Sequence, residues 1–204
     1  LVIDVTQSAG AVDLDLGRLD PDFAVASGYK WLCGPGGAAV AYVSPRQQAT
    51  FRPAIPGWKG TPNPFDFDAR TVRHAPGARR LELSTMAYGA ALGLGAAMTS
   101  LYEIGVARIE RHNGRLLEYL VDGLTELDAD VVTPAPSARH AGILTAKFGG
   151  HDTRAMTKRL LDDGVNVSRR GSGLRFSLDF YNDSGDVDRA LASLRRTWRR
   201  TAAR

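Results

Sequence analysis

Three short apolar runs fall within the first 43 residues: Leu1-Val2-Ile3, Asp22-Phe23-Ala24-Val25-Ala26-Ser27 and Ala38-Ala39-Val40-Ala41-Tyr42-Val43. Runs this short, rich in β-branched and small residues and closed by turn formers, read as strands. Spaced as they are, they predict part of a mostly parallel sheet in an α/β fold. Open sheets of that class bind ligands beyond the carboxyl ends of their strands. At those ends stand Asp4, with Gln7 three residues on, and the segment Ser27-Gly28-Tyr29-Lys30-Trp31. The glycines of Gly34-Pro35-Gly36-Gly37 then let the chain turn tightly into the third strand.

The chemistry of these side chains is mutually consistent. A lysine partly buried at a sheet edge has its amine pKa lowered toward the range in which it attacks an aldehyde and forms a Schiff base. A carboxylate such as Asp4 can pair with a protonated pyridine nitrogen and keep the ring an electron sink. Gln7 is within reach of a phenolic ring oxygen, and Ser27, Tyr29 and nearby amides can donate to a phosphate. Each residue alone has an ordinary role: a strand-end Asp caps turns, and a Lys beside Trp covers apolar surface with its stem. Their combination describes a two-ended grip on pyridoxal 5'-phosphate (PLP).

At these residues the chain resembles the class V aminotransferase family of fold type I PLP enzymes, which holds cysteine desulfurases, selenocysteine lyases, kynureninases and isopenicillin-N-epimerase-like proteins. The resemblance runs from Leu1 nearly to the end. It implies that Asp4 partners the pyridinium, Gln7 contacts the phenolic oxygen, Ser27 and Tyr29 bind phosphate, and Lys30 forms the internal aldimine. Arg80-Leu81-Glu82-Leu83-Ser84-Thr85 resembles a family segment whose threonine reaches the phosphate held by the neighbouring subunit, with Ser84 where the family has glycine; this assigns Thr85. Arg175-Phe176-Ser177-Leu178-Asp179-Phe180-Tyr181-Asn182 resembles the segment whose arginine clamps a substrate α-carboxylate, a task suited to a planar guanidinium. Leu174, Phe176, Leu178 and Phe180 alternate with Arg175, Ser177 and Asp179, so Arg175 is expected on the polar face of a half-buried strand. Arg169 and Arg170, just before it, are candidates for binding an acidic substrate.

The resemblance implies the second half of a fold type I large domain, residues 1–104, with an interface loop at 44–80, and a linker helix with a small C-terminal α/β domain over 105–204. Family members are roughly twice as long, so the chain reads as a C-terminal half that lacks the cofactor-stacking aromatic and a backbone phosphate cradle. Its expected partners are an amino-acid substrate and a second copy of itself, or a chain supplying the N-terminal half. Within the loop, Pro45, Pro53, Pro56, Pro62, Pro64 and Pro76 forbid a long helix, and Trp58, Phe65 and Phe67 provide apolar anchors. A small-residue helix is expected from Met86 to about Glu103, started by Ser84 or Thr85. A second follows from Val106 to about Leu127, where Ile109, Leu116, Leu120, Leu124 and Leu127 recur at helical spacing. After Pro134 and Pro136 come strand Ile143–Phe148, helix Thr153–Asp162, strands Val165–Ser168 and Leu174–Phe180, and helix Asp186–Arg200.

Composition limits the function classes. The 204 residues are 44% hydrophobic and 24% charged, ordinary for a globular domain. There is no apolar run of membrane-spanning length, no visible signal peptide and one cysteine, which makes the cytoplasm the default. The net charge of +4 and the tail Arg195-Arg196-Thr197-Trp198-Arg199-Arg200 raise nucleic-acid binding. However, Val187, Ala190, Leu191, Leu194 and Trp198 form one helical face, and terminal arginines favour the helix dipole, so no nucleic-acid partner is expected. His74, His112, His140 and His151 lack ligand spacing, so no metal is expected. Sulfur transfer of the desulfurase type needs a mobile thiolate, yet the segment between Val167 and Arg175 reads Ser-Arg-Arg-Gly-Ser-Gly-Leu and the single thiol is Cys33. The expectation is therefore transamination, epimerisation or β-elimination on an amino acid through Lys30. Desulfurase-like chemistry and a non-catalytic dimerisation or partner-binding half are the alternatives.

Overall fold

The computed structural model describes residues 1–68, 70–134 and 141–201, with side chains up to Thr197. Its contacts divide into two units, Leu1–Gly10 with Leu14–Glu103, and Ala11–Asp13 with Ile104–Arg204. His140 and Pro136 lie outside the described residues, as do the side chains of Trp198, Arg199 and Arg200.

The first unit carries a three-stranded sheet, β1 (Val2–Asp4), β2 (Phe23–Ser27) and β3 (Ala39–Val43), in that order. It is mixed: β1 and β2 run parallel, while β2 and β3 pair antiparallel. Of the mostly parallel sheet expected, these strands supply one parallel pair, and the short turn through Gly34–Gly37 brings β3 straight back along β2. One face is buried through Ala24 and Ala26, whereas Val2, Asp4, Val25 and Ala41 lie on an open face. Between β1 and β2 lies the four-residue helix α1 (Leu16–Leu19), capped by Asp15, which accepts from the Gly17 and Arg18 amides.

The proline-rich stretch does exclude a long helix. It contains the six-residue α2 (Pro45–Thr50) and three 3-10 segments at Trp58–Gly60, Pro64–Asp66 and Gly77–Leu81. Two features pin it. Arg80 is buried and donates to the Phe51 and Gly77 carbonyls. Gly57 lies so close to Leu83 that a β-carbon would stand 2.1 Å from its backbone. Trp58, Phe65 and Phe67 cluster with ring centroids 5.7–6.3 Å apart, but Phe65 and Phe67 stay exposed rather than anchoring the stretch in a core. Helix α3 (Tyr88–Ile104) starts later than expected. Ser84 lies four residues before it and does not cap it; its hydroxyl accepts from the Trp58 indole at 3.0 Å.

Gly105, at φ 91°, separates α3 from α4 (Val106–Thr125). The buried face of α4 comprises Ile109, Asn113, Leu116, Leu117, Leu120 and Leu124, the helical stripe read in the sequence. It packs on a second sheet of order β4 (Asp130–Val131), β5 (Ile143–Lys147), β7 (Gly173–Ser177), β6 (Ser168–Arg170), antiparallel throughout. Helices α5 (Thr153–Asp162) and α6 (Ser184–Thr201) complete the unit. Its core joins Leu117, Leu120, Leu144, Leu160, Leu174, Leu191 and Leu194. Asp152 caps α5, and Gly164 in the left-handed region ends it. Asp183 and Asp186 exchange backbone-to-side-chain hydrogen bonds across the first turn of α6, a reciprocal cap. Arg195 and Arg196 of the basic tail are in ion pairs with Glu126 and Asp163. No single helix among the described residues is long and apolar enough to cross a membrane.

Asp163 ties α5 to α6. It accepts from the buried Ser193 hydroxyl and from Arg196, beside Arg159, and these contacts hold its carboxyl at about 2. A carboxylate with a depressed folded-state pKa stabilises above its unfolded value and loses that contribution as pH falls through the folded one. The unit should therefore lose stability between about pH 4 and pH 2. Asp163→Asn should flatten that part of the profile in pH-dependent chemical denaturation. A second expectation concerns helix contact. A β-carbon on Gly123 would meet Leu191 Cδ1 at 2.2 Å, so Gly123→Ala should cost about 1–3 kcal/mol. Adding Leu191→Ala should relieve the clash, giving a double mutant more stable than the sum of the two single changes, as measured by urea unfolding.

Candidate active site

The carboxyl ends of β1 and β2 are joined through one residue. Thr6, buried, donates its amide to Asp4 Oδ1 at 2.8 Å, and its Oγ1 accepts the Ser27 amide at 3.0 Å. Hydrogen bonds from the Thr6 hydroxyl and then its amide, with a smaller contribution from positively charged Lys30, hold the Asp4 carboxyl below the usual carboxylate range. Asp4 thus lies within electrostatic reach of Lys30, on the open face of the sheet. The Asp-x-Thr spacing is the signal that could have found Thr6: an aspartate bonding the amide two residues on is an Asx turn.

Gln7 is oriented from behind. Trp31 Nε1 donates to Gln7 Oε1 at 2.9 Å, leaving the Gln7 amide nitrogen free as a donor. Trp31 is buried because Gly10, at φ 93°, lies against its carbonyl; a β-carbon there would sit 2.2 Å from the oxygen. Gly28 is equally constrained. Its amide donates to Ala38 at 2.9 Å and its carbonyl accepts from Gly34, while Leu94 of α3 fills the space a side chain would need. These contacts fix the turn that presents Lys30.

The partial burial expected of Lys30 is absent. Trp31 and Leu32 turn inward, and Tyr29 and Lys30 turn outward into an exposed position, with Lys30 Nζ 5.9 Å from the Tyr29 ring centre. Cys33, at φ 52°, closes the turn by donating its amide to the Lys30 carbonyl at 2.8 Å. Thr85 is exposed three residues before α3 and stands outside the Asp4–Thr6–Ser27 network.

In the second unit Arg175 lies mid-strand in β7, half-buried, with its Nε buried and unpartnered. Burial, then the neighbouring Arg170, lower its pKa. It borders a cavity of about 440 Å³ with Ser168, Ser177, Tyr181 and Asn182. The alternation read in the sequence holds through Ser177, where β7 ends. Asp179 is buried rather than on the polar face: it accepts the Phe180 amide at 2.8 Å, and burial raises its pKa. Asn182 closes this turn, its Oδ1 accepting from the Asp179 amide and its carbonyl 2.8 Å from His112 Nε2. The Tyr-Asn end of the motif is therefore partly structural.

The Aminotransferase class-V family model matches residues 1–190, and the chain belongs to that family. A kynureninase of Deinococcus radiodurans is 31% identical over 95% of this chain and 48% of its own length. The apo structure of a cysteine desulfurase from Thermococcus onnurineus NA1 superposes with a TM-score of 0.88 at 26% identity, over 97% of this chain and 52% of the other. A mutant of the protein C-DES, with glycine covalently linked to its PLP cofactor, gives 0.79 at 26% identity over 92% and 49%. The chain spans about half the length of the curated relatives it matches. Its α/β architecture is that of fold type I, represented over that half.

Thr6 is the residue on which this arrangement turns. Thr6→Val should strand the Ser27 amide and lower stability by about 1–3 kcal/mol. It should also let the Asp4 carboxyl titrate at higher pH, as followed by carbon-detected NMR; an unchanged Asp4 titration would refute the coupling.

Proposed function

We propose that this chain is the cofactor-holding half of a PLP-dependent enzyme that acts on an amino acid. The observation that carries the reading is the Thr6 network, which ties Asp4 to the Ser27 amide near Lys30 and lowers the Asp4 pKa. The donor set fits the cofactor at each end. Asp4 would pair with the ring nitrogen, the free Gln7 amide would donate to the ring oxygen, and Ser27 and Tyr29 would donate to the phosphate. When bound, PLP supplies an electrophilic carbonyl carbon and an electron sink for bonds at the substrate Cα. Lys30 Nζ would hold the cofactor at rest and move the proton at the substrate Cα. Arg175 would orient the substrate carboxylate through a bidentate contact. Thr85, exposed, is available to the phosphate of a second subunit.

The half-length match to relatives supports an assembly in which the remaining wall of the site comes from residues outside this chain, in a homodimer or a complex with an N-terminal half. The segment Ser168–Leu174 carries no thiol, so lysine-dependent transamination, epimerisation or elimination is favoured over sulfur transfer. Borohydride treatment of the complete enzyme with PLP should leave the cofactor covalently attached to the peptide holding Lys30, as seen by mass spectrometry. Lys30→Ala should abolish the adduct and the cofactor's visible absorbance. A wild-type enzyme that retains no cofactor under these conditions would end the proposal.

A further inference from the structure

Arg175 has a companion on the same strand face. In the β6–β7 pairing Ser168 stands opposite Arg175 and Arg170 opposite Gly173. Arg170 and Arg175 are therefore diagonal neighbours, at the spacing of roughly 7–8 Å over which long side chains still interact. Gly173 puts no side chain between them. From the other side, β5 adds Thr145 opposite Arg175 and Lys147 opposite Gly173. The face thus carries two guanidiniums and an ammonium among the hydroxyls of Thr145, Ser168 and Ser177, and β5, β6 and β7 contain no acidic residue.

Among the described residues no salt bridge involves Lys147, Arg170 or Arg175. Asp130 of β4 faces Lys147 in register but forms no ion pair with it. Asp186, the carboxylate bordering the Arg175 cavity, is engaged by Asn182, the Asp183 amide and Arg189. Arg170 and Arg175, like charges held as neighbours with neither in an ion pair among the described residues, favour a ligand that brings negative charge to both. A monocarboxylate on Arg175 would leave Arg170 uncompensated; two carboxylates on a short carbon chain can meet both forks.

We propose that Arg170 determines substrate specificity together with Arg175, selecting an amino acid whose side chain ends in a second carboxylate. This rests on the reading in which Arg175 takes the substrate α-carboxylate. Succinate and propionate, which differ by one carboxylate, serve as probes on the 204-residue chain without cofactor, followed through the arginine Nε–H NMR signals. Succinate should bind about tenfold more tightly, the order expected of one charge-assisted contact, and shift the Arg170 and Arg175 signals together. Arg170→Gln should reduce succinate to the affinity of propionate and leave propionate unchanged, while Arg170→Lys should keep part of the margin. An Arg170→Gln chain with an unchanged succinate-to-propionate ratio overturns the proposal, as does a wild-type chain that binds no succinate. Because no cofactor enters the measurement, an Arg170-dependent preference in a protein that never retains PLP would remove the PLP reading and leave this one standing. Retention of PLP with no such preference would do the reverse.

Discussion

The two ends of the candidate cofactor site are held in register by Thr6. Strands β1 and β2 run parallel, so no tight turn connects their carboxyl ends, and in a sheet with an open face the loops beyond those ends could drift apart. Thr6 is buried and uses both its amide and its hydroxyl, so Asp4 and the Ser27 amide cannot separate without exposing or stranding polar groups. The same contacts lower the Asp4 pKa. A threonine that is not itself among the candidate cofactor contacts thus governs how the residues around it present themselves.

Around this link, position is set by close backbone approach. Gly10 seats Trp31, which in turn orients Gln7. Gly28 and Gly34 meet at 2.8 Å and admit Leu94 against the turn before Lys30. Gly57 and the buried Arg80 do the same for the proline-rich stretch. None of these glycines touches a candidate ligand atom, yet a methyl group at Gly10 or Gly57 would overlap backbone. The second unit follows another principle. Its leucine-rich core and capped helices form a stable platform, and the polar face of its sheet is where uncompensated positive charge collects.

Much of this was legible in the chain. The apolar runs and the turn residues between them located β1, β2 and β3. The helical stripe from Ile109 to Leu124 gave α4, and Asp152 and Gly164 bracket α5 as capping chemistry requires. Among the candidate site residues, Asp4, Gln7, Ser27, Tyr29 and Lys30 could be named because their functional groups suit one another, and Arg175 through the resemblance of its segment to a family motif. What could not be read were relations between segments distant in sequence. The Trp58 indole bonds Ser84 four residues before α3, the strand ending at Ser177 buried Asp179, and the antiparallel return of β3 made the sheet mixed.

By itself, then, the sequence determined local conformation and chemical inventory, because strand and helix periodicity, caps and functional groups are properties of neighbouring residues. Only the tertiary structure decided exposure and company. Lys30 faces outward because Trp31 and Leu32 bury themselves, Asp4 is joined to the Ser27 amide because Thr6 bonds both, and Arg170 shares a face with Arg175 because of strand register. Each of these depends on free energies of burial and pairing between residues that the chain brings together only on folding.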